Sequence, residues 1–337
     1  MKRVLFSLAA SLAAFTGLAA APASAQTTNL EAAFDNMFGT EVRAPQSFSA
    51  VYDTALERRI AQIADGSDGR IGVAALDLST GEEVMVLADQ RFPMASTSKI
   101  AVAATFLEGV EQGRWSLSSE FPLLIPLRSA KYSSPTAPVR KGNYMAARDL
   151  IEIMITRSSN TATDALLDVV GGPQAVNAWA YRNGFRNFSI DRDIATLVRD
   201  DGEYDPATYI DMRDSATPRD IVRMLAALNN GGVLSDASRS VILGSMSRTR
   251  TGKRRIPALM PAGAEVMHKT GSLNNTSSDV GIIRGPNGRS IAVAIYVTGQ
   301  GAKLNRERKI AEIARALYDG MVARPGRNWT GATYPGG

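Results

Sequence analysis

Arg91-Phe-Pro-Met-Ala-Ser-Thr-Ser-Lys-Ile100 places a serine, Ser96, three residues before a lysine, Lys99, shortly after a proline. An alternating segment ends here, and Ala101-Val-Ala-Ala-Thr-Phe106 opens a helical run. Residues i and i+3 share a helix face, so a helix starting at Ser96 brings its hydroxyl and the Lys99 amine together. Two readings are open. Ser96 is either an N-cap or a nucleophile with Lys99 as its base. A serine hydroxyl needs a base near neutral pH, and lysine serves only where burial or neighbouring cations depress its pKa. Backbone N–H groups at the helix start would also lie where an oxyanion is stabilised. The usual base, histidine, occurs once, as His268, and no G-x-S-x-G elbow surrounds a serine.

Outward from this stretch, Ile71–Leu78 and Glu83–Ala88 are β-rich runs joined through Ser79-Thr-Gly81, a hairpin signal. Helical spacing predicts a helix over 51–64 and then dominates 96–110, 146–157, 161–170, 172–183 and 218–228. Strands return at 266–270, 279–284 and 290–298, the last two linked by the turn Gly285-Pro-Asn-Gly288, and a closing helix spans 305–321. Strands at both ends around a helical middle predict one sheet assembled from both termini, with an inserted helical lobe.

The chain has 337 residues and 45% hydrophobic content, enough for a real core. Lys2 and Arg3, the apolar run 4–20 and Ala23-Ser-Ala25 read as a cleavable export signal ending near Ala25/Gln26. Residues 26–50 are expected to form an arm, 51–325 the main domain (an α/β lobe of 51–90 and 220–325, a helical lobe of 91–219), and 326–337 a tail. A periplasmic or secreted protein with no membrane anchor is expected. Nothing demands more than a monomer. Cysteine is absent, so the core and not disulfides must hold the fold. Without Lys2 and Arg3 there are 36 basic and 33 acidic residues, too balanced to argue for a nucleic-acid partner. The run Arg248, Arg250, Lys253, Arg254, Arg255 reads as a solvated face. One histidine and no cysteine leave no visible metal-ligand set, and no cofactor is expected.

Two further motifs decide between the readings of Ser96. Ser158-Ser-Asn160 lies between helical runs, and Lys269-Thr-Gly271 ends a short β-run and leads into Ser272. Alone, these read as an Asn cap and a turn. In this order with Ser96-x-x-Lys99, they are the S-x-x-K, S-x-N and K-T-G set, and the chain resembles the class A β-lactamases and penicillin-binding proteins. Tyr132-Ser-Ser-Pro, Arg213-Asp-Ser-Ala-Thr-Pro218, Pro261-Ala-Gly, Val297-Thr-Gly299 and Ile310-Ala-Glu-Ile extend the likeness over roughly 51–319.

The resemblance implies a β-lactamase/transpeptidase-like α/β fold, with an antiparallel five-stranded sheet flanked by helices and an inserted all-helical lobe. It implies that Ser96 attacks a lactam carbonyl, Lys99 helps remove its proton, and Ser158 relays a proton to the leaving nitrogen. Asn160 would hold the substrate's side-chain amide, and Tyr132 would wall the cleft. Lys269, Thr270 and Ser272 would bind the substrate carboxylate, and the N–H groups of Ser96 and Ser272 would form the oxyanion hole. The expected partner is a small β-lactam or peptidoglycan-like molecule.

Two departures stand out. Ser159 replaces the family's aspartate in S-D-N. The family's deacylating glutamate, in the pattern E-x-x-L-N, has no counterpart. If Asp214 is the loop-closing aspartate and the loop has no insertion, Arg199 is its partner and Asp201 takes the glutamate's place, with Asp205 at the asparagine. If Ile190-Asp-Arg192 matches the family's Leu-Asp-Arg, Ile194 takes that place and the base is gone. A solvated acidic loop is the bland reading of Asp200, Asp201, Glu203 and Asp205. A serine β-lactamase is the leading expectation. A D-alanyl-D-alanine peptidase or serine esterase is the alternative, and a penicillin-binding sensor the third.

Overall fold

The computed structural model describes residues 54–65 and 68–323. The expected signal peptide, arm and tail lie outside the described residues. Helix α1 (Ala55–Ala64) starts at a capping box in which the Thr54 side chain accepts from Glu57 N while Glu57 reaches back to the Thr54 backbone. Strands β1 (Ile71–Asp77) and β2 (Glu83–Val86) form the expected hairpin. Its tip is held by Asp77, whose carboxylate accepts from Ser79 N and Thr80 N, and by Gly81 at φ +75°. The two-residue strand β3 (Phe92–Pro93) then leads into a 3₁₀ turn, Ala95–Ser98, and helix α2 (Lys99–Glu111).

The middle of the chain holds β4 (Glu120–Pro126), β5 (Val139–Ala146), α3 (Ala147–Thr156), α4 (Asn160–Val170), α5 (Pro173–Arg182), β6 (Phe188–Ser189), α6 (Ile194–Arg199) and β7 (Ser215–Ala216). The inserted segment is therefore not all helical: β4 and β5 pair as an antiparallel hairpin, and β3, β7 and β6 make a small sheet. Helices α7 (Pro218–Asn230) and α8 (Asp236–Ser247) follow, then β8 (Glu265–Leu273), β9 (Thr276–Arg284), β10 (Ser290–Thr298) and α9 (Lys303–Leu317).

The main sheet has the order β2-β1-β10-β9-β8, antiparallel throughout, so the first and last strands of the chain meet at its centre. Strand β10 shows why both faces must be covered. Ile291, Val293, Ile295 and Val297 enter one buried cluster with Leu56 and Ile60 of α1 and Ile310 and Ile313 of α9. Ala292, Ala294 and Tyr296 alternate into a second cluster on the opposite face, with Phe92, Phe106 and Leu225. Helix α2 is apolar all round and buried from Lys99 to Leu107, the mark of a central helix. Its first residue is thus a lysine at the start of a helix buried without a break from Lys99 to Leu107.

Candidate active site

The 3₁₀ turn before α2 carries three hydroxyls. Thr97 Oγ1 donates to Met94 O at 2.8 Å and Ser98 Oγ to Ala95 O at 2.8 Å. Among the described residues, Ser96 Oγ makes no hydrogen bond, and the residue is half-buried. Ser96 is not an N-cap: α2 begins after Ser98, with no side-chain cap. The Lys99 N–H donates to Ser96 O and Thr97 O, fixing the lysine one tight turn from the serine. Ala95, with φ +49°, sets the turn's entry.

Lys99 is fully buried and its Nζ donates to Asn160 Oδ1 (2.7 Å), Ser158 O (2.8 Å) and Ser158 Oγ (3.3 Å). Burial lowers its pKa to about 7, against the nearby Asp164 charge, which raises it. Lys269, on β8, is equally buried; its Nζ donates to Ser158 Oγ at 2.9 Å and to Thr270 O at 2.8 Å. Burial and the Lys99 charge hold it well below the ordinary lysine range, opposed by Asp279. Ser158 Oγ therefore sits between two amines. The loop pays for this placement with a left-handed serine at φ +59°, a conformation costing about 1–3 kcal/mol.

Local sequence explains the arrangement. Ser159, where the family has aspartate, is the N-cap of α4, its Oγ accepting from Ala162 N at 3.3 Å. That leaves Asn160 as the first residue of the helix, with its side chain turned to Lys99 and not used as a cap. Lys269-Thr-Gly271 is not a turn but the middle of β8, which is longer than its apolar run implies. A Cβ on Gly271 would stand 2.5 Å from Met94 O and 3.1 Å from the Ala95 Cβ. Only glycine lets the strand lie so close to the turn that carries Ser96.

Thr270 Oγ1 pairs with Thr251 Oγ1 at 2.7 Å, and Ser272 Oγ accepts from Arg255 Nη2 at 2.6 Å. Arg255 corrects the solvated-face reading of its basic run. It is 3% exposed, donates to Gly271 O (2.8 Å) and Ser278 O (2.7 Å), and faces Glu307 at 3.3 Å. Of Arg250, Arg254, Arg255, Arg306 and Arg308, Arg255 is the one hydrogen-bonded to Ser272. Arg306 is engaged by Asn275, Ser277 and two loop carbonyls, while Arg250, Arg254 and Arg308 are exposed.

Tyr132, half-exposed at φ +56°, is tied to the loop after α6: its N–H donates to Asp200 Oδ1 (3.0 Å) and its hydroxyl to Asp200 O (3.1 Å). Arg199 grips the Asp200 carboxylate through two 2.8 Å contacts and holds it down at about 2. The loop-closing carboxylate, Asp214, pairs instead with Arg192 at 2.6 Å and also accepts from Asp191 N and Arg192 N. Arg199 as partner of Asp214 is therefore corrected, and with it the register that put Asp201 in the glutamate's place. The Asp201 carboxylate accepts from Asn274 N at 2.8 Å, and Lys131 holds its carbonyl. It is not hydrogen-bonded to Ser96, Lys99, Ser158 or Lys269. In the register built on Arg192 and Asp214, Ile194, buried at the start of α6, occupies that place.

Sequence reading passed over Asp164. This buried carboxylate accepts from Ile194 N (2.7 Å) and Ala195 N (2.9 Å), anchoring α6 to α4. Burial raises it to about 7. Its position one turn after Asn160 was the available signal: i and i+4 share a face.

The β-lactamase enzyme family matches residues 55–321. An imipenem-hydrolyzing β-lactamase of Enterobacter cloacae is 30% identical over 260 residues, covering 75% of this chain and 85% of its own. β-Lactamase CTX-M-25 of Escherichia coli is 31% identical over 268 residues, 79% of this chain and 89% of its own. Among solved structures, a mutant of the last common ancestor of Gram-negative class A β-lactamases aligns with a TM-score of 0.68 and 33% identity, over 79% of this chain and 98% of its own. By the family match and these relatives, the chain belongs to the β-lactamase enzyme family.

Proposed function

We propose that the protein is a serine β-lactamase of class A type that opens the lactam amide through an acyl-enzyme on Ser96. The observation that carries this reading is the Ser158 hydroxyl held by both Lys99 and Lys269, beside a turn whose Ser96 hydroxyl is uncommitted. Lys99, neutral for much of its population near pH 7, takes the proton as Ser96 Oγ attacks the lactam carbonyl. The oxyanion is received by the N–H groups of Ser96 and Ser272. As the C–N bond breaks, the ring nitrogen takes a proton through Ser158 Oγ, which is replenished from the lysines that flank it. Lys269, Thr270 and Ser272, with Arg255 behind Ser272, bind the substrate carboxylate; Asn160 holds the side-chain amide and Tyr132 walls the cleft. The catalytic domain spans 51–325, with an α/β lobe (51–90, 220–325) and a largely helical lobe (91–219).

Residues 1–25 act as an export signal, and the mature protein is a periplasmic or secreted monomer. No helix among the described residues is long and apolar enough to cross a membrane. Intact-protein mass spectrometry over a time course after brief penicillin exposure tests the activity. A transient adduct at Ser96, lost in Ser96→Ala, is expected. No adduct, or an equal adduct in Ser96→Ala, refutes it. A second reading, a D-alanyl-D-alanine peptidase or serine esterase acylated by β-lactams, is favoured by Ile194 in the glutamate's place; a persistent adduct would select it.

A further inference from the structure

We infer that Lys99 is the base for both halves of the reaction, so the water that frees the acyl-enzyme is activated by the same amine that activates Ser96, and no loop carboxylate takes part. This rests on the acyl-enzyme reading above. Geometry motivates it. A general base must lie within hydrogen-bond reach of the reacting water or be one water away. Every carboxylate of the 190–214 loop is held by groups other than Ser96, Lys99, Ser158, Asn160 and Lys269, Asp200 in part by the Tyr132 N–H at the cleft wall. Asp193 caps α6 through Thr196 N, Asp200 is gripped by Arg199, and Asp201 by Asn274 N. Glu203 and Asp211 both bind Arg213, and Asp205 accepts from Asn275 and Ala207. Asp191 and Asp214 bind each other's backbone N–H groups, and Asp214 also holds Arg192. None is hydrogen-bonded to Ser96, Lys99, Ser158, Asn160 or Lys269, whereas Lys99 Nζ touches Ser158 and Asn160 directly.

The step balances without another group. Neutral Lys99 takes one proton from water as the water oxygen bonds to the acyl carbon. When the tetrahedral intermediate collapses, the bond to Ser96 Oγ breaks and the ammonium returns that proton to the serine. The charged groups facing Lys99 set its readiness. Burial disfavours the ammonium, and Asp164, from α4, favours it, with Asp193 behind it; Lys269, from β8, is itself held low by burial, the Lys99 charge and Arg255, against Asp279. Asp164 is thus a positioning residue that acts through Lys99 while tethering Ile194 and Ala195.

The test is the pH dependence of release, followed by quenched-flow mass spectrometry of the Ser96 adduct with benzylpenicillin from pH 5.5 to 8.5. The release rate is expected to rise about tenfold per pH unit on the acid side and to level off above neutrality. In Asp164→Asn the upper part of the rising limb, near neutrality where Asp164 begins to ionise, moves to lower pH because the anion that favours the ammonium is gone, while the lower part, where Asp164 is protonated, stays in place. A release rate flat across this range, or one that falls tenfold or more in Asp201→Asn, overturns the inference while the adduct itself upholds the acyl-enzyme. Release abolished in Asp164→Asn with acylation intact makes Asp164 the base and also overturns it. Failure of any adduct to form removes both.

Discussion

Replacing Gly271 by alanine tests how closely β8 must approach the Ser96 turn. The new Cβ would lie 2.5 Å from Met94 O and 2.5 Å from Ser278 Oγ, where real contacts are at least 3.0 Å. The serine hydroxyl can rotate away, but Met94 O is backbone, so the strand and the turn must separate by about 0.5 Å, since repulsion rises steeply inside van der Waals contact. The displaced groups are Ser96, two residues after Met94, and Ser272, which follows Gly271. Both supply the N–H groups proposed to receive the oxyanion. A misplacement of 1 Å costs on the order of 100-fold, so half of that is worth roughly tenfold, or about 1.4 kcal/mol of barrier. Stability should fall by about 1–3 kcal/mol, the usual cost of overpacking. Stopped-flow acylation by a chromogenic cephalosporin, with thermal melts as the folding control, measures the two separately. A Gly271→Ala protein that is folded and acylates within twofold of the parent refutes the close-approach argument.

Asp214→Ala strands Arg192 and two backbone N–H groups, so a loss of about 3–5 kcal/mol is expected. At 2–4 °C per kcal/mol this is a fall of roughly 10 °C in Tm, and a fall under 3 °C would show that Arg192 does not close the loop. Arg255→Leu removes a charged donor to Ser272 and should raise KM for carboxylate-bearing β-lactams about 10- to 100-fold, with kcat changed less. An unchanged KM would restrict Arg255 to joining β8 and β9.

The sequence alone determined the elements that follow local rules. The β1–β2 hairpin is legible because Gly81 supplies the positive φ of its turn, and β10 because four branched residues alternate with small or aromatic ones. Ser96, Lys99, Ser158, Asn160 and Lys269 were legible as an ordered set, and the structure brings Lys99, Ser158, Asn160 and Lys269 into hydrogen-bond contact beside the Ser96 turn. The β4–β5 hairpin was missed because β4 carries two prolines and β5 is mostly exposed, which erases alternation. Helix α8 was missed because it is rich in serine with an internal glycine, a weak helix former whose partner surface lies elsewhere in the chain.

Only the tertiary structure decided the rest. Two arginines, Arg192 and Arg199, were equally good partners for Asp214 in sequence, and packing gave Asp214 to the first and Asp200 to the second. The same packing buried Arg255 against Ser272 and placed Asp164 where its charge reaches Lys99. Motifs record which groups the chemistry uses, because each group's chemistry is intrinsic to its side chain. Which carboxylate faces which cation, and how far burial shifts a lysine, depends on distances between residues far apart in the chain, and folding alone sets those.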